Sequence, residues 1–405
     1  MAFVFPGQGS QYPGMAGKWM ERSEAFREVL NEADDALGWS LSTLCTTGSQ
    51  EELKQTERTQ PALLTISMGI YRAMEEKAGR KLSPTVLAGH SLGEYGALVV
   101  AGAISFGEAL RLTERRGQLM EEALPGGVGS MAAISGIDGQ LAGTIIANWR
   151  ERENKAVWPA CWNGPTQTVV AGHTTDLEEL ATLFRSEPNV KVQMLRVSGP
   201  FHSPLMESVT EAFRSELKQA AWQSPSTPVL SNIHAQPYRA VEDIIDGLAR
   251  QLTEPVRWVE TMTAMKHHHI QEMVEIGPRK VLKQFAAANG WRNGVLAMDE
   301  EADWAQWHQA YEPMEPQHLL KRCIQLAVTT RNQHHTADHV KQIEEQYEAL
   351  QKLQVSLDHT PAKSGDEAFR TTMEAARHHL SLLLQAKGCS DEEQSRLMRQ
   401  MERMV

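Results

Sequence analysis

Four short stretches carry side chains whose types and spacing could do nucleophilic chemistry. GHSLGEY, Gly89–Tyr95, holds a Gly-x-Ser-x-Gly pattern, which often sets a serine on a sharp strand-to-helix turn as a nucleophile. Gly89 and Gly93 leave room for such a turn around Ser91, and the following helix would aim free N–H groups at its hydroxyl. PGQGSQ, Pro6–Gln11, lacks the GxGxxG or GK[ST] spacing of a nucleotide loop. It suits donation of a backbone N–H to an oxyanion. GPFHSPLM, Gly199–Met206, puts His202 in a turn-rich loop, and an imidazole titrates near neutrality, as a general base requires. Arg115 and Arg116 lie in a helical run, where one guanidinium could fork a carboxylate. Taken singly, each stretch has a plain structural use: an incidental serine in a turn, a capped Gly-rich loop, a surface histidine and a solvated basic face.

The elements that would position these groups are legible as alternating periodicities. Ala2–Phe5 and Thr85–Gly89 read as buried strands, and Pro61–Gly79 and Leu92–Ala103 as helices, the alternation of a parallel α/β sheet. Met131–Gly136, Thr168–Gly172 and Val190–Val197 read as strands of a small α+β insert with helical runs between them. Pro228–Ile233, a helix around Ile244–Leu252, and Glu272–Pro278 return to the first pattern. Beyond about Asp299 strand signals vanish, and Val340, Ile343, Tyr347, Leu350, Leu353 and Leu357 keep a helical 3–4 spacing. Thr360–Asp366 reads as a break, followed by helices over Glu367–Lys387 and Asp391–Met404, the last capped by Ser390.

Composition bounds the function class. A chain of 405 residues, 41% hydrophobic and 22% charged, can bury a full core in two or three folding units. The net charge of −11, with no Lys/Arg-rich run, argues against nucleic-acid binding. Cys45, Cys161, Cys323 and Cys389 are scattered without CxxC spacing, as reduced thiols in a cytoplasm would be. The N-terminal MAFVFPGQG has no basic region or cleavage site, and no apolar segment reaches membrane-spanning length. A soluble cytoplasmic protein with no membrane association is expected. Eight of the 15 histidines fall in the C-terminal segment, with His335 and His339 four apart. No third ligand follows at metal-site spacing, and with the His267–His269 run they read as surface residues, leaving no metal site.

Taken together and in order, FVFPGQGSQ, TQPALL (Thr59–Leu64), GHSLGEY, RRGQLM (Arg115–Met120), GPFHSPLM, SNIHAQPY (Ser231–Tyr238), QLTEPVRW (Gln251–Trp258) and EIGPRKVL (Glu275–Leu282) resemble the malonyl-CoA:acyl carrier protein transacylase family, including the stand-alone or trans-acting acyltransferases of polyketide synthases. The resemblance covers about residues 1–297. It implies an α/β-hydrolase-like parallel-sheet core from residues 1–127 and 198–297 and a ferredoxin-like insert over 128–197; the helical C-terminal extension over 298–405, read from its periodicity, lies beyond it. It further implies Ser91 as nucleophile, His202 as base, and Gln251 orienting His202 through its carbonyl. The oxyanion would rest on the N–H groups of Gln8 and Leu92. Arg116, assisted by Gln60, would hold the substrate carboxylate. Phe201 would favour malonyl over branched donors, and Asn163 would line the pantetheine channel. The implied partners are malonyl-CoA, as substrate, and an acyl carrier protein or carrier domain in polyketide or fatty-acid synthesis, with no cofactor. An acyl hydrolase on the same scaffold is the alternative, and a carboxylate clamp would not serve it. One residue departs from the pattern: Arg279 stands where the family usually has Gly, expected to be away from the chemistry.

Overall fold

The computed structural model describes residues 1–398 apart from 186, 188, 196, 293, 312–315, 335, 360–366, 392, 395 and 396, and for 316–319, 322, 358, 359 and 368–370 it describes the backbone alone. Among the described residues nine strands form two sheets: β1 (Ala2–Phe5), β2 (Val86–Gly89), β3 (Gly129–Ser135), β4 (Val157–Gly164), β5 (Gln167–His173), β6 (Lys191–Met194), β7 (Val229–Leu230), β8 (Met273–Glu275) and β9 (Val295–Ala297). The first sheet, in the order β7-β2-β1-β8-β9, is parallel throughout. β1 and β2 are fully buried, as their unbroken apolar runs require. Parallel pairing in register (Ala2↔Val86, Phe5↔Gly89) brings the loops after β1, β2, β7 and β8 to one edge. That is where such sheets hold ligands.

The second sheet, ordered β4-β5-β3-β6, is antiparallel and is interleaved with helices Gly139–Glu153 and Thr174–Phe184. Its two faces follow the period of two. Ala132, Ile134, Val157 and Val170 pack on Ile146, Trp149, Leu177, Leu180 and Phe184 of the helices. Met131, Ala133 and Val169 line a cavity on the opposite face. The sequence reading missed β4. Pro159 cannot donate to a ladder, and it is tolerated because β4 is an edge strand whose register shifts between Pro159 and Cys161. β9, three residues long, was missed for lack of any periodicity to read.

The described chain divides into two compact units, Met1–Glu76 with Leu82–Trp307, and Lys77–Lys81 with His308–Val405. The division falls at 307/308, ten residues beyond the expected boundary, for a local reason. Asp299 accepts from Tyr12 Oη (3.0 Å), Trp19 Nε1 (3.3 Å) and the Arg279 N–H (2.7 Å), and Trp304 packs edge-on against Trp19 at 4.9 Å. In the second unit, helices Pro316–Thr329, Ala337–His359 and Glu367–Ala386 bury Leu320, Leu350, Leu357, Leu380 and Leu384 together. The expected stripe holds except at Val340, which is 40% exposed. Ser390 Oγ accepts from the Glu393 N–H at 3.2 Å, the geometry of an N-cap. The break at 360–366, His335 and the end of the last helix lie outside the described residues.

Candidate active site

The turn after β2 is forced by contact. A Cβ on Gly89 would lie 1.9 Å from Gly93 C, and one on Gly93 would lie 2.0 Å from Phe5 O. Strand, turn and helix Gly93–Val100 can therefore approach only with glycine at both positions. Ser91 itself is held at φ 51°, in the left-handed region, a strain that L-residues adopt when surroundings over-determine it. Asn232, from the loop after β7, pins the turn: its Oδ1 accepts from the Ser91 N–H (2.6 Å) and its Nδ2 donates to Gly89 O (2.6 Å).

Ser91 Oγ lies 2.7 Å from His202 Nε2, and His202 Nδ1 lies 2.6 Å from Gln251 O. A carbonyl only accepts, so Nδ1 carries the proton and the Nε2 lone pair faces the serine hydroxyl. Burial, then the nearby Arg116 charge, pull the His202 pKa down to about 3. The imidazole is therefore neutral, in its proton-accepting form, across the ordinary pH range. His202 is also left-handed, at φ 58°, and its neighbour Phe201 is 4% exposed.

Arg116 is 1% exposed. Its Nη1 donates to Gln60 Oε1 (2.7 Å), and its Nη2 donates to Gln251 Oε1 (2.8 Å) and Ser91 Oγ (3.3 Å), while Nε–H has no partner among the described residues. Arg115, the adjacent residue, turns outward to Glu122 and Glu216 instead (3.7 and 3.6 Å). Gln60 is fully buried and touches the guanidinium and Met120 Sδ, so it sets the direction of Arg116.

Beneath these groups lies Glu94, fully buried, which the sequence reading did not single out. It accepts from Tyr238 Oη (2.6 Å), the Asn232 N–H (3.2 Å) and Gln251 Nε2. Burial pushes its pKa up to about 7, against the pull of those donors. Glu94 thus ties Gln251 in place, and Gln251 serves both His202 and Arg116. The signal for Glu94 is a carboxylate inside an otherwise small and apolar helix, LGEYGALVV. Asn232 lies in the matched stretch SNIHAQPY but was given no role there, because its role depends on β7 lying beside β2.

A cavity of about 490 Å³ opens onto Ser91 and His202, lined also by Gln8, Leu92, Arg116, Phe201 and Asn163. Gln60 and Gln251 stand behind it. Asn163 reaches the cavity with its amide already engaged, Oδ1 lying 2.8 Å from His90 Nε2. Arg279, expected away from the chemistry, lines the same cavity. The loop after β8 ends at the same sheet edge as Ser91.

These features fit the comparisons with known proteins. Residues 2–297 match the acyl transferase domain family. The chain is 40% identical over 281 residues to the malonyl CoA-acyl carrier protein transacylase of Escherichia coli K12, spanning 69% of this chain and 90% of that protein. Among solved structures it resembles the malonyl CoA-acyl carrier protein transacylase of Coxiella burnetii, with TM-score 0.73, 35% identity, and coverage of 77% of this chain and 97% of that one. It also resembles a malonyl-transacylase in complex with its type II PKS acyl-carrier protein, with TM-score 0.72, 35% identity, and coverage of 76% and 98%. The chain belongs to the acyl transferase domain family.

Proposed function

We propose that this protein is a malonyl-CoA:acyl carrier protein transacylase acting by a ping-pong mechanism. The observation that carries the reading is the buried Arg116 guanidinium 3.3 Å from Ser91 Oγ, beside a serine already hydrogen-bonded to a neutral histidine. A buried cation at that distance suits an acyl group with a free carboxylate, and a neutral acyl chain would leave it unpaired at a cost of about 1–3 kcal/mol or more. The same fact weighs against a hydrolase that clears neutral acyl chains.

In the first half-reaction Ser91 Oγ bonds to the thioester carbonyl carbon as its proton passes to His202 Nε2. The oxyanion rests on the N–H groups of Gln8 and Leu92, a role supported by their place on the cavity wall. The Ser91 N–H is not available for it, being held by Asn232. The carbon–sulfur bond then breaks, and CoA leaves as a thiol with the proton from His202. In the second half-reaction the carrier's pantetheine thiol gives its proton to His202, and its sulfur bonds to the ester carbon. The carbon–Oγ bond breaks, and Ser91 recovers its proton.

Gln251 orients His202 through its carbonyl, Gln60 aims Arg116, Phe201 shapes selectivity, and Asn163 borders the pantetheine channel. No cofactor enters these steps. We read the parallel-sheet part as α/β-hydrolase-like and the antiparallel part as ferredoxin-like. The second label is supported by the β-α-β-β-α-β order. Among the described residues no helix is long and apolar enough to cross a membrane. The reading places the enzyme in the cytoplasm, supported by four unbridged cysteines.

The test follows both acceptors at once. Malonyl-CoA adds a malonyl mass to the intact protein, and a holo carrier protein then removes it faster than water does. Release of free malonate in place of malonyl-carrier overturns the transferase reading.

A further inference from the structure

We propose that Arg279 forms an anion-binding lip at the mouth of the Ser91 cavity and receives the phosphate of the pantetheine arm, a group common to CoA and a holo carrier protein. The inference rests on the transacylase reading above. Arg279 occupies a position where the resembled family usually carries Gly, and its φ is 64°. Left-handed backbone crowds the Cβ of an L-residue against its own carbonyl, a cost that glycine would avoid. The side chain is thus kept at a site where the backbone favours its absence.

The turn that carries it is fixed on both sides. A Cβ on Gly277 would lie 2.4 Å from Pro6 Cγ, so the turn is wedged against the loop after β1. The Arg279 N–H donates to Asp299 Oδ2 at 2.7 Å. The guanidinium sits 5.6 Å over the Tyr12 ring, and Tyr12 is itself held by Asp299 (3.0 Å). Arg279 is nonetheless solvent-exposed and lines the cavity. The result is an exposed cation on a backbone held from both sides.

Other positive groups around the cavity are committed elsewhere. Lys54 pairs with Glu51 (2.5 Å). Lys18 pairs with Asp299 (2.8 Å) and Lys280 with Glu300 (2.7 Å). The N-terminus of helix Val281–Ala288 is capped from inside, since Glu275 accepts from the Leu282 and Lys283 N–H groups (2.9 and 2.8 Å). Among the described residues no carboxylate forms an ion pair with Arg279.

The cavity therefore has a buried cation beside the nucleophile, an apolar wall that includes Val169, Leu195 and Phe285, and an exposed cation. A thioester with a carboxylate at one end, a neutral amide-bearing arm and a phosphate at the other end matches that set of groups. Arginine suits the phosphate because its planar fork meets two oxygens at once.

The test uses full-length wild type, Arg279→Gly and Arg279→Lys, with phosphate present or absent on each thiol. For acylation the donors are malonyl-CoA and malonyl-pantetheine. For deacylation of the preloaded malonyl-enzyme the acceptors are holo carrier protein, pantetheine 4′-phosphate and pantetheine. A parallel calorimetric series measures binding of pantetheine 4′-phosphate against pantetheine without turnover. In wild type the phosphorylated ligand is preferred. In R279G that preference falls about tenfold, through KM, and R279K retains part of it. A fall confined to the donor arm assigns the lip to CoA, and one confined to the acceptor arm assigns it to the carrier. Equal preference ratios in wild type and R279G, in both arms and in calorimetry, overturn the proposal. A wild type that malonyl-CoA fails to acylate sinks the transacylase reading instead, while calorimetry still decides whether Arg279 holds phosphate.

Discussion

The two compact units treat buried polarity in opposite ways. In the first, Arg116, Gln60, Glu94, Asn232, His202 and Gln251 are all buried and bonded to one another around a single serine. In the second, the interior is aliphatic, with Leu320, Ala327, Leu350, Leu380 and Leu384 at its centre. Its buried cation, Lys387, is spent on the carbonyls of Ala327 and Thr330 (2.6 Å each), where it closes a helix end. A buried charge that caps a helix reports stability. Buried charges that converge on a cavity, with one N–H of Arg116 left over, report chemistry.

The contrast breaks most sharply at Ser91. Ser91→Ala should abolish malonyl labelling and lower transfer by at least ~10³-fold, seen as loss of the malonyl mass; labelling that persists would move the nucleophile elsewhere. Arg116→Ala should cut the preference for malonyl over acetyl by about 10²-fold, measured as the ratio of acylation kcat/KM values. It also strands the buried Gln60 and Gln251 oxygens, so the variant should melt lower. Unchanged selectivity would reduce Arg116 to a structural ion.

The pH dependence tests the imidazole itself. Burial and the Arg116 charge disfavour the imidazolium, so the folded pKa, about 3, lies below the ordinary value near 6.5. The base form persists as pH falls, and acylation kcat/KM should stay level from about pH 8 to about pH 5. An acid limb near 6.5 would contradict it, and Arg116→Ala should shift any such limb upward. The unfolded chain takes up a proton near 6.5 that folded His202 refuses. This group's contribution to stability is therefore present above 6.5 and declines as pH falls toward the folded value. The smallest effect belongs to the second unit. Lys387→Met should cost ~1–3 kcal/mol in denaturant unfolding and leave transfer within about twofold. A large catalytic loss there would erase the distinction between the units.

Both the parallel sheet and the helical stripe of the second unit were legible in the sequence, because period two, period 3.6 and unbroken apolar runs are local. β4 was hidden by Pro159, whose tolerance depends on the strand lying at an edge. Ser91 and His202 were legible as a candidate nucleophile and a candidate base through the turn residues around them. Arg115 and Arg116 are indistinguishable as neighbours on one helix. The family resemblance names Arg116, and physically the two differ in burial, one paired outward with Glu122 and Glu216 and the other enclosed beside the serine.

By itself, the sequence determined which groups could act: a serine in a turn that only glycines allow, a loop histidine, an arginine and a Gly-rich loop. Tertiary structure alone decided which groups hold them. Glu94 and Asn232 reach the groups around Ser91, and Arg279 reaches the cavity, because β7, β2, β1 and β8 run parallel and side by side, so loops distant in sequence end at one edge. That convergence is a property of strand order, which no local pattern of residues encodes.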